Sequence, residues 1–374
     1  MKYFVLILSF LAVANAGFVT SFDVPPAQES VLGTQIGSDE QTSGVLGEEV
    51  GKTEEEIRPY KEVRVEDLAG YGELKVALLV PKKVIKGYAK RVSNSIMSYF
   101  IFRDRDFTFE VFDCVDESEQ NIIDTLARIK SKGYKYVIAV MTPSGAQSVI
   151  NYESEMLVYI PTLHGSMFPK SGNIYYGGID YKKQIDKLMA YSNGKVAIFM
   201  GKSWLAQRLT AYVQERNYDS YIKPVESAKI NPKYIVKNNF HLQGASVFFN
   251  MPLVSSALLA SSFSSYEIKP YALFSTQVNY SPLLFTMIQR EDRQNFYLAN
   301  SINYVNSKLN DTNQNLGIKI KYDWVAYSSS VGLDFIYSRY YGVDTIFNED
   351  MIEHQIKYRT KIVKIKNDEF VRVK

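Results

Sequence analysis

A chain of 374 residues, 46% of them hydrophobic, can bury a large core, and its length suits two domains or lobes. The single cysteine, Cys114, excludes an intramolecular disulfide, and His164, His241 and His354 are too scattered for the close spacings that metal sites use. The formal net charge of +3 conceals an asymmetry: residues 17–57 hold nine acids against one base, leaving 41 bases and 31 acids in residues 58–374.

The first residues, MKYFVLILSFLAVANA, combine Lys2, an apolar run and a small-residue site ending at Ala16. That pattern predicts a secretory signal peptide, residues 1–16, cleaved after Ala16, and hence a soluble periplasmic protein without a lipid-anchoring cysteine at the cleavage site. Residues 17–58 are rich in Gly, Ser, Pro and acids and poor in aromatics, so they cannot bury enough apolar surface to offset the entropy of ordering. They read as a disordered acidic linker. The basic remainder suits an acidic partner or surface, and with no nucleic-acid motif in an exported chain, nucleic acid is set aside.

Regular elements begin near residue 73. KVALLVP (75–81) is a continuous apolar strand, GYAKRVSNSIMSYFIF (87–102) has helical spacing, and FTFEVFDC (107–114) is a second strand. EQNIIDTLARIKSKG (119–133) is an amphipathic helix with a glycine stop, followed by a strand in YKYVIAVMT, the turn Pro143-Ser144-Gly145, a short helix, and a strand in MLVYIPTL (156–163). The grammar then restarts with strands at 195–201, 244–250 and 270–277 and helices at 203–217 and 252–263. Such alternation predicts βαβ units and sheets covered on both faces. Gly201-Lys202-Ser203 mimics part of a phosphate loop, but the position that needs glycine is Val196, so Ser203 reads as a helix cap after a strand. A helix at 322–342 and an alternating hairpin at 356–374 close the chain.

KVALLVP, YVIAVMTPSGA, YIPTL, GKVAIFMGKSWLAQRL and the closing KIVKIKNDEFVRV together resemble the type I periplasmic-binding-protein fold of the Leu/Ile/Val-binding family. The resemblance implies an α/β fold of two doubly wound lobes. Lobe one would hold 73–180 with a return segment 277–341, and lobe two 181–276 with the C-terminal hairpin 342–374. Ligands of such folds sit between the lobes at the carboxyl ends of strands. That implies Ser144, Gly145, Thr162 and His164 on one side and Asn250, Gln277 and Tyr280 on the other. Ser144 reads either as a donor, with Lys202, to a polar or anionic ligand or as the cap of its helix, and His164 as a ligand contact, a pH sensor or a hydrogen-bonded structural histidine.

The turns TPSGAQ, PTLHGSMF, GKSWLA, FNMPLVSS and STQVNYSP contain no Asp or Glu, which argues against a zwitterionic amino acid whose buried ammonium would need a carboxylate. No nucleophile elbow is present, so catalysis, a cofactor and a metal are not expected. The resulting expectation is a non-catalytic envelope protein that docks to a protein partner. In architecture it resembles the binding-protein-like domain of outer-membrane activators of peptidoglycan synthases, and a part of a flagellar motor is an equal reading. The alternative is a periplasmic solute receptor for a small polar or anionic ligand.

Overall fold

The computed structural model describes residues 70, 72–152, 155–169, 172–226 and 230–373. The signal-peptide and acidic-linker readings lie outside them. The described residues build two sheets of seven strands each. The chain runs through β1 (Leu74–Val80), β2 (Phe107–Asp113), β3 (Tyr136–Ala139), β4 (Leu157–Ile160) and β5 (Ile174–Tyr176) of the first sheet. It continues through β6 (Val196–Met200), β7 (Tyr221–Pro224), β8 (Ser246–Asn250), β9 (Ala272–Ser275) and β10 (Phe296–Asn300) of the second. It returns to the first for the hairpin β11 (Asp350–Ile352) and β12 (Gln355–Lys357), and ends in the second with β13 (Lys361–Lys366) and β14 (Glu369–Arg372).

The first sheet has the order β11-β12-β5-β4-β3-β1-β2 and the second β14-β13-β10-β9-β8-β6-β7, so the same parallel winding occurs twice. Each central strand is buried on both faces because its side chains alternate between two apolar layers. Leu74, Val76, Leu78 and Val80 enter one core cluster of the first lobe, while Ala77 and Leu79 enter the other. In the second lobe Ala197 and Phe199 face one layer and Val196 and Ile198 the opposite one. The Glu119–Ser131 helix covers its sheet with Ile122, Leu126 and Ile129, spaced to share one stripe.

Two boundaries differ from the expectation. Residues 277–300 belong with the second lobe, because β10 pairs in parallel with β9 and antiparallel with β13. The C-terminal segment divides: β12 pairs with β5 of the first sheet, and only β13 and β14 join the second. The physical reason is edge pairing. Each sheet would end in an open β5 or β10 strand, and one short antiparallel hairpin covers each edge.

The return to lobe one is carried instead by the Ser307–Asn315 and Trp324–Tyr341 helices, which pack on the Tyr88–Arg103 helix. The second of these is buried along almost its whole length. Gly332 lets it approach β4, since a Cβ there would lie 2.0 Å from Tyr159 Cε1. Among the described residues no helix is long and apolar enough to cross a membrane.

Candidate inter-lobe binding site

Among the described residues the chain passes between the sheets three times: after β5, after β10 and after β12. The first two crossings leave from the carboxyl ends of parallel strands, so those ends of the two sheets flank the crossovers and define the cleft.

On the first-lobe side the central feature is the start of the Pro143–Asn151 helix. Ser144 is exposed in its first turn, and Thr142, not Ser144, occupies the cap position. The free N–H groups and the dipole of such a helix start attract an anion. Here the anion comes from the chain itself: the Glu117 carboxylate accepts hydrogen bonds from Thr142 N at 2.6 Å, from Thr142 Oγ1 and from Gly145 N at 3.3 Å. Gly145 makes this fit possible, because a Cβ at that position would lie 2.7 Å from Glu117 Cδ. Glu117 sits in the loop after β2, in none of the acid-free turns at the strand ends.

Thr162 is also engaged internally, its Oγ1 donating to Met141 O at 2.6 Å. His164 caps a 3-10 turn: Nδ1 accepts from Ser166 N at 3.2 Å and lies 2.8 Å from Ser166 Oγ. Burial lowers the imidazole pKa below its ordinary value, and the positive Lys357 lowers it further against the opposing pull of Asp180. The ring lines a cavity of about 40 Å³ at the crossovers, beside Asp180, Lys183, Ser301 and Thr360.

On the second-lobe side Asn250 is fully buried, with Nδ2 donating to Thr210 Oγ1 at 3.1 Å. Gln277 ties the crossovers together. Its backbone N–H donates to Gln184 Oε1 at 2.9 Å and its Oε1 accepts from Ser301 N at 2.6 Å. Gln184 Nε2 in turn donates to Ser301 Oγ at 2.8 Å, and Ser301 Oγ lies 3.0 Å from Thr360 Oγ1. One buried polar cluster therefore joins the Tyr181–Met189 helix, the turn after β9 and two of the three crossovers.

Ser203 caps the Trp204–Gln214 helix through its side chain, accepting from Ala206 N at 3.2 Å, as the strand-to-helix reading requires. Lys202 is exposed and paired with Glu226 at 2.6 Å. Tyr280 alone of the second-lobe candidates lines an open groove, and it packs against Tyr322 and Phe370. Of the candidate residues, His164 and Tyr280 line different cavities, and Asn250 and Gln277 make internal hydrogen bonds while Asn250 Oδ1 and Gln277 Nε2 stay buried without a partner.

Cys114 is buried, and desolvation first, then the neighbouring Asp113 charge, pushes its thiol up to about 12, which disfavours the thiolate nucleophile. Among the described residues no group of three His, Cys, Asp or Glu is placed to hold a metal ion.

No family model matches this chain, and no curated protein does. Solved structures do. Isoleucine-bound LivJ of Streptococcus pneumoniae superposes with a TM-score of 0.58 at 7% identity, over 81% of this chain and 100% of that one. A benzoate-bound solute-binding protein of R. palustris gives 0.57 at 11% identity, over 81% and 96%. Full-length LpoA of Haemophilus influenzae gives 0.52 at 12% identity, over 84% of this chain but only 61% of LpoA. At these identities the likeness shows the fold, which is of the type I periplasmic-binding-protein kind.

Proposed function

We propose that this is a non-catalytic exported envelope protein that uses the two-lobed fold to dock to a protein partner, in an assembly of the peptidoglycan-synthesis or flagellar-motor type. The observation that carries the reading is Glu117 seated on the first-lobe helix start: a ligand anion would have to displace a carboxylate already held by three hydrogen bonds. The buried clasp adds to it by engaging Gln277 N and Oε1 inside the protein.

An outward-facing surface supports docking. The loops at the amino ends of the second sheet are tied together, Asn217 Nδ2 to Gly194 O at 2.7 Å and Gly244 N to Lys269 O at 2.8 Å. They present Tyr218, Phe240 and Tyr271, which are 88%, 83% and 52% exposed. Aromatics this open to water are suited to be interface anchors.

A photo-crosslinkable residue in place of Phe240, in the full chain expressed in its own cells, is expected to capture one discrete envelope protein. Loss of that product on Tyr218→Ser would tie capture to the aromatic surface. Absence of any discrete product would count against docking through this face.

The second reading, a solute receptor, draws on the likeness to solute-binding proteins and would act by closing the lobes on a ligand. A small molecule that raises the melting temperature of the intact protein, and fails to do so after substitution of Ser144 and Thr162, would favour it.

A further inference from the structure

A second concavity opens at the carboxyl end of β10, beside the second crossover. It is a groove of about 320 Å³ between the β13–β14 hairpin and the loop before the Trp324–Tyr341 helix. Three rings form a continuous aromatic surface in it: Tyr280 and Phe370 have centroids 4.4 Å apart, Tyr280 and Tyr322 5.6 Å, and Tyr322 and Phe370 6.2 Å. Burial, and secondarily the neighbouring Tyr322, pushes the Tyr280 hydroxyl up to about 12.

Around these rings stand Lys321, Lys361 and Arg372, with the amides of Asn300 and Asn303, and the lining contains no Asp or Glu. None of the three cations forms an ion pair or side-chain hydrogen bond with a described residue. Three of the carboxylates close by are already engaged, and Glu349 also lies within electrostatic reach of Lys361. Asp323 pairs with Arg91 at 3.0 Å, Glu349 accepts from Asn303 Nδ2 and Tyr327 OH at 2.8 Å each, and Asp368 pairs with Arg293.

Like charges gathered in a concave site repel one another and are relieved by an anion, while flat rings beside them offer a stacking face. The volume suits a small ring-bearing molecule. We propose that this groove binds a small anion that carries a flat ring and two or more negative charges. Lys321, Lys361 and Arg372 would neutralise it, and Tyr322 and Phe370 would hold the ring.

Lys321 and Tyr322 follow the Ser307–Asn315 helix, which packs on the first lobe, whereas Tyr280, Lys361, Phe370 and Arg372 belong to the second. The bound anion would therefore touch both lobes and hold them in one relative position. The site is separate from the Glu117-filled helix start and does not rest on the docking reading.

Isothermal titration of the intact protein with benzene-1,3,5-tricarboxylate, a planar trianion, is the test, with inorganic phosphate as an anion without a ring and benzoate as a ring with one charge. The expected result is one-to-one binding of the tricarboxylate that weakens with added salt, with phosphate and benzoate each at least about tenfold weaker. The K321Q/K361Q/R372Q variant, whose changes are at exposed or half-buried positions and leave the core intact, is expected to lose at least about tenfold in affinity. No binding to the unsubstituted protein, or unchanged affinity in the triple variant, would overturn the proposal. Phosphate binding as tightly as the tricarboxylate would overturn the role given to the rings.

Discussion

Glu117 and Gly145 act as a pair. The carboxylate satisfies backbone donors at a helix start, and the missing Cβ leaves it room. Glu117→Ala should cost about 1–3 kcal/mol by stranding those donors, read as a shift in the urea midpoint with an unchanged slope. Gly145→Val should cost about 1–3 kcal/mol by overpacking against the same carboxylate, and in the Glu117→Ala background the penalty should shrink, because the obstructing atoms are gone. His164 gives a pH signature. Its folded pKa lies below the ordinary value of 6.5, so the unfolded chain binds the proton more readily. Stability should therefore fall as pH drops through and below about 6.5, and His164→Gln should remove that part of the slope in melts recorded between about pH 7 and 5. The position of His164 after a strand end is legible in the sequence, with structural and functional roles both open, whereas the role of Glu117 is not. Nothing local in DCVDESEQ says that one of its acids folds onto a helix whose first residue comes 26 positions later, at Pro143.

Helices and strands were readable where the apolar period was strong and unclear where pairing was imposed from outside. Leu74–Val80, apolar except for the exposed Lys75, and Val196–Met200, apolar throughout, are both central strands. The short strands Ile174–Tyr176 and Asp350–Ile352 have three residues each, too few for a period to show, and exist because a sheet edge offers them a partner. The Trp324–Tyr341 helix illustrates the same limit: its span follows from composition, but its burial on nearly every side depends on the Gly332 approach to Tyr159. Gly332→Val should push the helix off β4 and cost about 1–3 kcal/mol or more, measured by chemical denaturation. Gln277→Leu should also destabilise, by about 1–3 kcal/mol, because it removes the acceptor for buried Ser301 N. Gln277 reads as a ligand contact in the sequence because it follows a strand end. In this fold strand ends are also where crossovers begin, and position alone does not separate the two roles.

Two copies of one winding, joined at the carboxyl ends of their strands, give the molecule a cleft whatever its task. The same frame serves isoleucine-bound LivJ and LpoA, so the fold is common ground and the occupancy of the cleft decides between docking and solute capture. The alternation of strands and helices made that frame readable from residue 73 onward. The state of its cleft was not, because it depends on side chains such as Glu117 and Ser301 that meet only after the sheets assemble. Native mass spectrometry of the intact protein, purified gently from the cells that make it, compares the unsubstituted chain with Ser144 and Thr162 variants most directly. Retention of a protein partner, with no small adduct dependent on Ser144 or Thr162, is the expected result. A stoichiometric small adduct that disappears in those variants would contradict a self-filled cleft and establish the protein as a solute receptor.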